Sequence, residues 1–511
     1  MISKVHSGAV FGMEGYIITV EVDMFTNLPG IDIVGLPDTA VKESKERVKS
    51  ALKNSGFAIP QKRIVVNLAP ANTKKNGAYL DLPISIAILV ASGQIVCDRL
   101  SDFLILGELA LDGSVRSAEG VLPMTLKARS HGIKNIIVPS DNATEAAVVS
   151  DCNIYGATSL AQVAAHLGSE AQIEPTTVDV EKIFSQANSF DVDFADVKGQ
   201  ESVKRAIEVA AAGAHNCLMI GSPGSGKTMI AKRIPTILPD LSFEEALEVT
   251  KIYSIAGLLP ENSSLITSRP FRSPHHTVSN VSITGGGTIP KPGEISLAHR
   301  GVLFLDELPE FRKDAIEAMR QPLEDGYFTV SRVAGSATFP SSTMLIGGMN
   351  PCKCGYKGDP TRECSCTPNS VRNYVSKISG PMLDRFDIQI QVPSVKYEDL
   401  ANRQKGESSK VIKERVTKAR QIQLERYKGM NIYSNSQLSA SAIEEYCQID
   451  ETGRALLGEV YKKLGLSARA HARILKLSRT IADLEGAPDI TPVHIAEAIR
   501  YRSLDSNLLY K

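Results

Sequence analysis

The chain has 511 residues, too many for one hydrophobic core, so its length alone suggests about three domains. Apolar residues make up 43% and charged residues 22%, a soluble globular balance, and with no run of 18 apolar residues and no signal-peptide pattern the expectation is a cytoplasmic protein without a membrane role. Lys plus Arg and Asp plus Glu number 57 each, so net charge is zero and any nucleic-acid contact must come from local basic loops rather than a global positive field.

Residues 1–165 read as an α/β domain. Tyr16–Val22, Ile64–Leu68, Phe103–Leu106 and Ile136–Val138 have the apolar runs or alternation of strands, Asp38 to Asn54 reads as a helix with an acidic cap, and Leu82 to Ser92 as an apolar helix. This arrangement resembles the N-terminal domain of magnesium-chelatase-like proteins, itself similar to the Lon protease / ribosomal S5 domain 2-like fold. Lon uses a Ser and a Lys as nucleophile and base. The corresponding segments here are Lys75 to Asp81 and Val115 to Pro123, where Tyr79 and Leu122 stand at the two positions. Neither can do that chemistry, so the domain is predicted to be non-proteolytic. Residues 166–190 turn polar and read as a linker.

Residues 191–395 read as a P-loop ATPase core. Cys217–Ile220 is a buried strand, followed by Gly221-Ser222-Pro223-Gly224-Ser225-Gly226-Lys227-Thr228 and then a helix start, the order a phosphate cradle requires. The glycines turn backbone N–H groups toward one point, Lys227 reaches the β- and γ-phosphates, and the Thr228 hydroxyl ligates Mg²⁺. Phe194 to Gln200 precedes the loop and is similar to the segment lying over the adenine in ring-forming ATPases, which implies nucleotide contacts at Val197 and Gly199. Val302–Leu305 is an apolar strand ending in Asp306 and Glu307. There Asp306 would hold Mg²⁺ and Glu307 would orient and deprotonate the attacking water. Met344–Met349 leads to Asn350, whose amide can hold that water or feel the γ-phosphate. In the segment from Pro381 to Asp387, Arg385 carries a guanidinium suited to a transferring phosphoryl group, and in related rings an arginine so placed reaches the neighbouring subunit's nucleotide. A structural ion pair with Asp384 or Asp387 is the competing use.

Residues 396–511 read as a connecting helix and a helical lid. Ser467 to Arg473 opens an amphipathic helix with Ile474, Leu477, Ile481 and Leu484 at helical spacing. Arg469 is the lid arginine expected to contact phosphate, and Arg473, one turn on, is the alternative.

These features, with Pro270 to His276, Gly285 to His299 and Leu303 to Leu308, resemble the magnesium-chelatase-like AAA+ ATPases over the whole chain, and within them the YifB and ComM group. The resemblance implies a homo-hexameric ring with ATP between subunits. It also implies a motor that promotes branch migration of DNA during natural transformation.

Between Asn350 and Arg385 lies an insertion, 352–366. Cys352-Lys353-Cys354 and Cys364-Ser365-Cys366 flank nine residues that include Gly355, Gly358, Asp359 and Pro360. Two Cys-x-Cys pairs across such a loop can give tetrahedral zinc four thiolates. Phe328 to Arg332 and Ala337 to Phe339 flank Val333 to Ser336 as a hairpin, and related helicases place such a hairpin in the central pore. Arg332, with Lys291 on the Gly285 to Gly293 loop, could then contact DNA phosphates without reading bases. The expected activity is therefore ATP hydrolysis coupled to movement on branched or single-stranded DNA. The rival is a chelatase-type chaperone that remodels a protein partner during metal insertion.

Overall fold

The computed structural model describes residues 2–71, 75, 77–186, 190–260, 263–332, 335–359, 362–395, 398, 406–464 and 467–502. Of the features expected above, the hairpin tip Val333–Ala334 and Pro360 of the cysteine loop lie outside the described residues.

The N-terminal sheet has seven strands, in the order Gly30–Val34, Arg63–Ala69, Glu14–Phe25, Ser3–Phe11, Phe103–Ile105, Asn135–Pro139, Asn153–Ala157. Its strands are both parallel and antiparallel. The expected helices are Thr39–Asn54, whose first turn is capped by the Asp38 carboxylate accepting from Val41 N at 2.8 Å, and Asp81–Ala91, buried almost throughout. In this sheet Ser3–Phe11, Gly30–Val34 and Asn153–Ala157 went unforeseen. Each holds small, polar or glycine residues that blur its period, and the pairing partner decides.

The second sheet is five strands, all parallel, in the order Phe271–Arg272, Val302–Leu305, Met344–Met349, Cys217–Ile220, Ile388–Gln391. Its interior strands are buried on both faces, which is why they read as unbroken apolar runs. Because the strands are parallel, their carboxyl ends share one edge, and this edge presents Gly221, Asp306 and Asn350 together.

The C-terminal helices Ser409–Arg426, Ala440–Tyr446, Glu451–Leu464, Ala468–Glu485 and Pro492–Arg500 share one apolar cluster with the core helix Glu201–Gly213. At its base, buried His215 bridges Asp387 (3.2 Å) and Thr480 (2.8 Å), tying the helical part to the sheet. The stretch expected to be linker contains the helix Val180–Gln186. Its Ile183 and Phe184 pack with Val148, Leu241 and Val249, so two apolar residues in a polar stretch suffice to dock it.

Polar and apolar ties join the part built on the seven-stranded sheet to the part built on the five-stranded one. Lys291 Nζ meets Glu119 Oε2 at 2.8 Å, and Gly120 N donates to Ser254 O at 3.0 Å. In addition, Phe11 and Met13, at the first turn, cover the buried Val330, Ala337 and Phe339 of the hairpin formed by Tyr327–Arg332 and Gly335–Pro340.

Candidate nucleotide site

The phosphate loop is shaped by its strand neighbours. Gly221 N donates to Met349 O at 3.1 Å, and a Cβ on Gly221 would lie 2.5 Å from Val392 O, so only glycine fits. Gly224 (φ +78) and Gly226 (φ +92) take backbone conformations that other residues reach at a cost. Helix Lys227–Arg233 then starts with its free N–H groups facing the loop, the geometry that binds anions.

Lys227 is buried. Its ammonium donates to Gly221 O (2.7 Å), Ser222 O (3.1 Å) and Asn350 Oδ1 (3.3 Å). Burial lowers its pKa, with Asp306 and Glu307 opposing the shift. Thr228 Oγ1 donates to Asp306 Oδ2 at 2.6 Å, so two hard oxygen donors, one from the first turn of a helix and one from a strand end, already meet. This pair fits Mg²⁺, which prefers few protein oxygens alongside phosphate and water. Glu307 follows in the left-handed region (φ +51), a conformation that costs about 1 kcal/mol or more for a non-glycine and turns the carboxylate out of line with the strand.

The residue beside Glu307 is His276: its Nδ1 is 3.6 Å from Glu307 Oε2, and its ring is held between His275 and the edge of Phe311. In the sequence the His275-His276 string served only as a family mark. The available signal was that the string follows the edge strand Phe271–Arg272, next to the Asp306 strand.

The segment around Val197 and Gly199 does lie along the loop, through the residue that follows them. Gln200 Nε2 donates to Ser225 O (2.9 Å) and Pro393 O (2.6 Å), while Val197 itself is buried in the core. Gly199 (φ +62) makes the turn between them.

The arginines sit elsewhere. Ile388 pairs with Cys217, so Arg385 is at the amino ends of the parallel strands, a strand length of about 13 Å from the phosphate loop. It pairs with neither Asp384 nor Asp387 but with Glu324, and among the described residues its buried Nε has no hydrogen-bond partner. Arg469 lies on the same side, exposed, 4.0 Å from Asp384, and not over Lys227. Arg473 is largely covered and held to Asp387 at 3.1 Å, a structural tie. Lys291 is taken by Glu119, whereas Arg332 is exposed and donates to Gly287 O at 3.3 Å, joining the hairpin to the glycine loop.

The four insertion cysteines converge, all sulfurs within 4.8 Å of one another. Cys352 is 3.3 Å from Cys354 and 3.6 Å from Cys364, close to the separation of about 3.8 Å that a tetrahedron with zinc–sulfur bonds of about 2.3 Å requires. A backbone N–H from Tyr356 draws the Cys354 thiol below its usual value, whereas the Cys364 and Cys366 thiols beside it are pushed up.

At the expected Lon positions, Tyr79 has its hydroxyl pushed far up by burial, and Leu122 is wholly buried. Tyr79 borders a cleft of about 660 Å³ between the domains, lined also by Glu108, Glu119, Asp141 and Glu145. Among the described residues no Lys or His lines it, so a Ser–Lys pair of the Lon kind is not formed there.

Three stretches match magnesium-chelatase families: residues 20–142 "Subunit ChlI of Mg-chelatase", residues 193–400 "Magnesium chelatase, subunit ChlI", and residues 406–502 "Magnesium chelatase, subunit ChlI C-terminal". Over 505 residues the chain is 43% identical to the competence protein ComM of Haemophilus influenzae, covering 98% of this chain and 97% of that one. The chain belongs to the ComM/YifB family of magnesium-chelatase-like proteins. To YifB of Escherichia coli it is 42% identical over 512 residues, covering 100% of this chain and 98% of that one. The chloroplastic magnesium-chelatase subunit ChlI of Nicotiana tabacum is 22% identical over 330 residues, 60% of this chain and 71% of that one. Residues 193–400 are thus an AAA+-type domain of the magnesium-chelatase kind. Among the described residues no helix is long and apolar enough to cross a membrane.

Proposed function

We propose that this chain is an ATPase that works as a homo-hexameric ring motor on DNA, promoting branch migration during integration of DNA in natural transformation. The observation that carries the reading is the split of the hydrolytic set across two edges of one sheet. Lys227, Thr228, Asp306, Glu307 and Asn350 gather at the carboxyl edge, whereas Arg385 and Arg469 lie at the amino edge. A nucleotide held by one subunit would receive both arginines from its neighbour, so the ring would be required for turnover.

Within a subunit, Lys227 would neutralise the β- and γ-phosphates, and Thr228 and Asp306 would hold Mg²⁺, which shields the phosphate charge during transfer. Glu307 would take the proton of the attacking water while Asn350 fixes that water's position. The nucleotide would lie under the segment of Val197 and Gly199. The cysteines would hold zinc, the N-terminal domain would keep a Lon-like fold without peptidase activity, and the lid would begin near residue 396. Arg332, exposed on the hairpin, supports a DNA contact, and Lys291 reaches DNA only if it leaves Glu119. The full-length likeness to a protein named for competence favours DNA as the track.

A chelatase-type chaperone is the second reading, supported by the distant likeness to ChlI. One assay separates the two. Purified protein with Mg-ATP should displace a labelled strand from a four-way junction, and Glu307→Gln should abolish this. ATP turnover indifferent to every DNA structure would instead favour the chaperone.

A further inference from the structure

The cysteine insertion does not hang free of the nucleotide site. It leaves the Asn350 strand end and lies against the phosphate loop through Gly355 and Asp359. Gly355, at φ +90, faces Pro223 so closely that a Cβ there would sit 2.6 Å from Pro223 Cδ. Farther along the insertion, the Asp359 carboxylate accepts from the hydroxyl of Ser222 in the phosphate loop and from Ser394 Oγ at 3.3 Å. The chain then returns through helix Pro368–Val375, which sets the Tyr374 hydroxyl beside the backbone of Asn350. One side of the phosphate loop, Ser222–Pro223, is therefore braced by the loop that the cysteines close.

We infer that metal held by Cys352, Cys354, Cys364 and Cys366 sets the affinity of the phosphate loop for nucleotide, acting through Gly355 on Pro223 and Asp359 on Ser222. This rests on the zinc reading of the four thiols given above. Four sulfurs within 4.8 Å cannot all ionise without a cation, because like charges at that spacing repel strongly. As Zn²⁺ binds, the thiols release protons to solvent and the thiolates close a loop that chain entropy otherwise opens. With the metal gone, Gly355 and Asp359 are released, and the phosphate loop loses a wall and a charge-assisted hydrogen bond. A hydrogen bond of that kind corresponds to roughly tenfold or more in affinity. Linkage makes the effect reciprocal: bound nucleotide must hold the metal more tightly.

The test measures zinc by mass spectrometry on full-length protein purified without chelator, and the Kd for a fluorescent Mg-ATP analogue. About one equivalent of zinc per chain is expected. Cys364→Ser should lose the metal and weaken nucleotide binding by ~10-fold or more. Asp359→Asn, which leaves the thiols alone, should keep the zinc and still weaken binding by ~3–10-fold, and Ser222→Ala should add little to it. Mg-ATP should slow removal of zinc from the wild type by a chromogenic chelator. Zinc far below one equivalent in the wild type overturns the metal reading. A full equivalent combined with unchanged nucleotide affinity in Asp359→Asn and in chelator-stripped protein overturns the coupling while leaving the zinc site standing.

Discussion

In the proposed mechanism Lys227 and Glu307 divide the work of the site between holding the nucleotide and cleaving it. The Lys227 ammonium is anchored by two loop carbonyls and Asn350, so it is positioned before any phosphate arrives. Lys227→Ala should weaken Mg-ATP binding by ~100-fold in equilibrium titration, in line with removal of a buried charged partner. His276, 3.6 Å from Glu307, would act in the proposed mechanism as a positioning residue, through Glu307. His276→Ala should lower kcat by ~5-fold with KM for Mg-ATP unchanged within about twofold, because the base is needed only in the transition state. An equal change in both constants would show that His276 supports binding instead.

At the scale of elements, helix Phe243–Ala256 is fastened to the start of the Val302 strand by charge. Its Glu248 accepts from His299 at 3.2 Å and from Arg300 at 3.0 Å, and these, led by the His299 hydrogen bond, hold its carboxyl at about 2. A carboxyl lowered in the folded state stabilises the protein above its unfolded pKa, near 4.5, and loses that contribution as pH falls toward about 2. The melting-temperature gap between wild type and Glu248→Gln should therefore be open at about pH 7 and narrow steadily below about pH 4.5. The hairpin carries a different expectation. Its apolar face, Val330, Ala337 and Phe339, is covered by Phe11 and Met13, and Arg332, two residues past Val330 on that same face, extends beyond the cover and is exposed. Arg332→Ala should weaken DNA binding equally across sequences and make its logarithmic salt dependence shallower by about one unit for each phosphate no longer neutralised.

Across the whole molecule the two edges of the parallel sheet face different tasks, and the separation of about 13 Å keeps Arg385 from its own phosphate loop. Subunits carrying Lys227→Ala and subunits carrying Arg385→Ala should each be inactive alone. Mixed, they should regain part of the ATPase, because some interfaces then pair an intact loop with an intact arginine. No recovery in the mixed rings, although both variants assemble, would remove the shared-site reading.

The amino-acid sequence by itself determined the phosphate loop, the Asp306-Glu307 strand end, Asn350 and the cysteine pairs. Each is a local string whose chemistry depends on residues a few positions apart. Strong apolar runs likewise marked the interior strands, since a parallel strand buried on both faces leaves no polar position to blur the pattern. Only the tertiary structure decided what lies across from these strings. Arg385 meets Glu324 rather than its chain neighbours Asp384 and Asp387, Lys291 meets Glu119 at 172 residues' distance, and Asp359 meets Ser222 at 137. Arg473 goes to Asp387 while Arg469 only approaches Asp384, although their i, i+4 spacing puts both on one face of helix Ala468–Glu485, because Arg469 stands in the exposed first turn and Arg473 one turn deeper. Such partners are set by how sheets, helices and insertions pack, and side-chain periodicity within one element carries no record of the surface it will face.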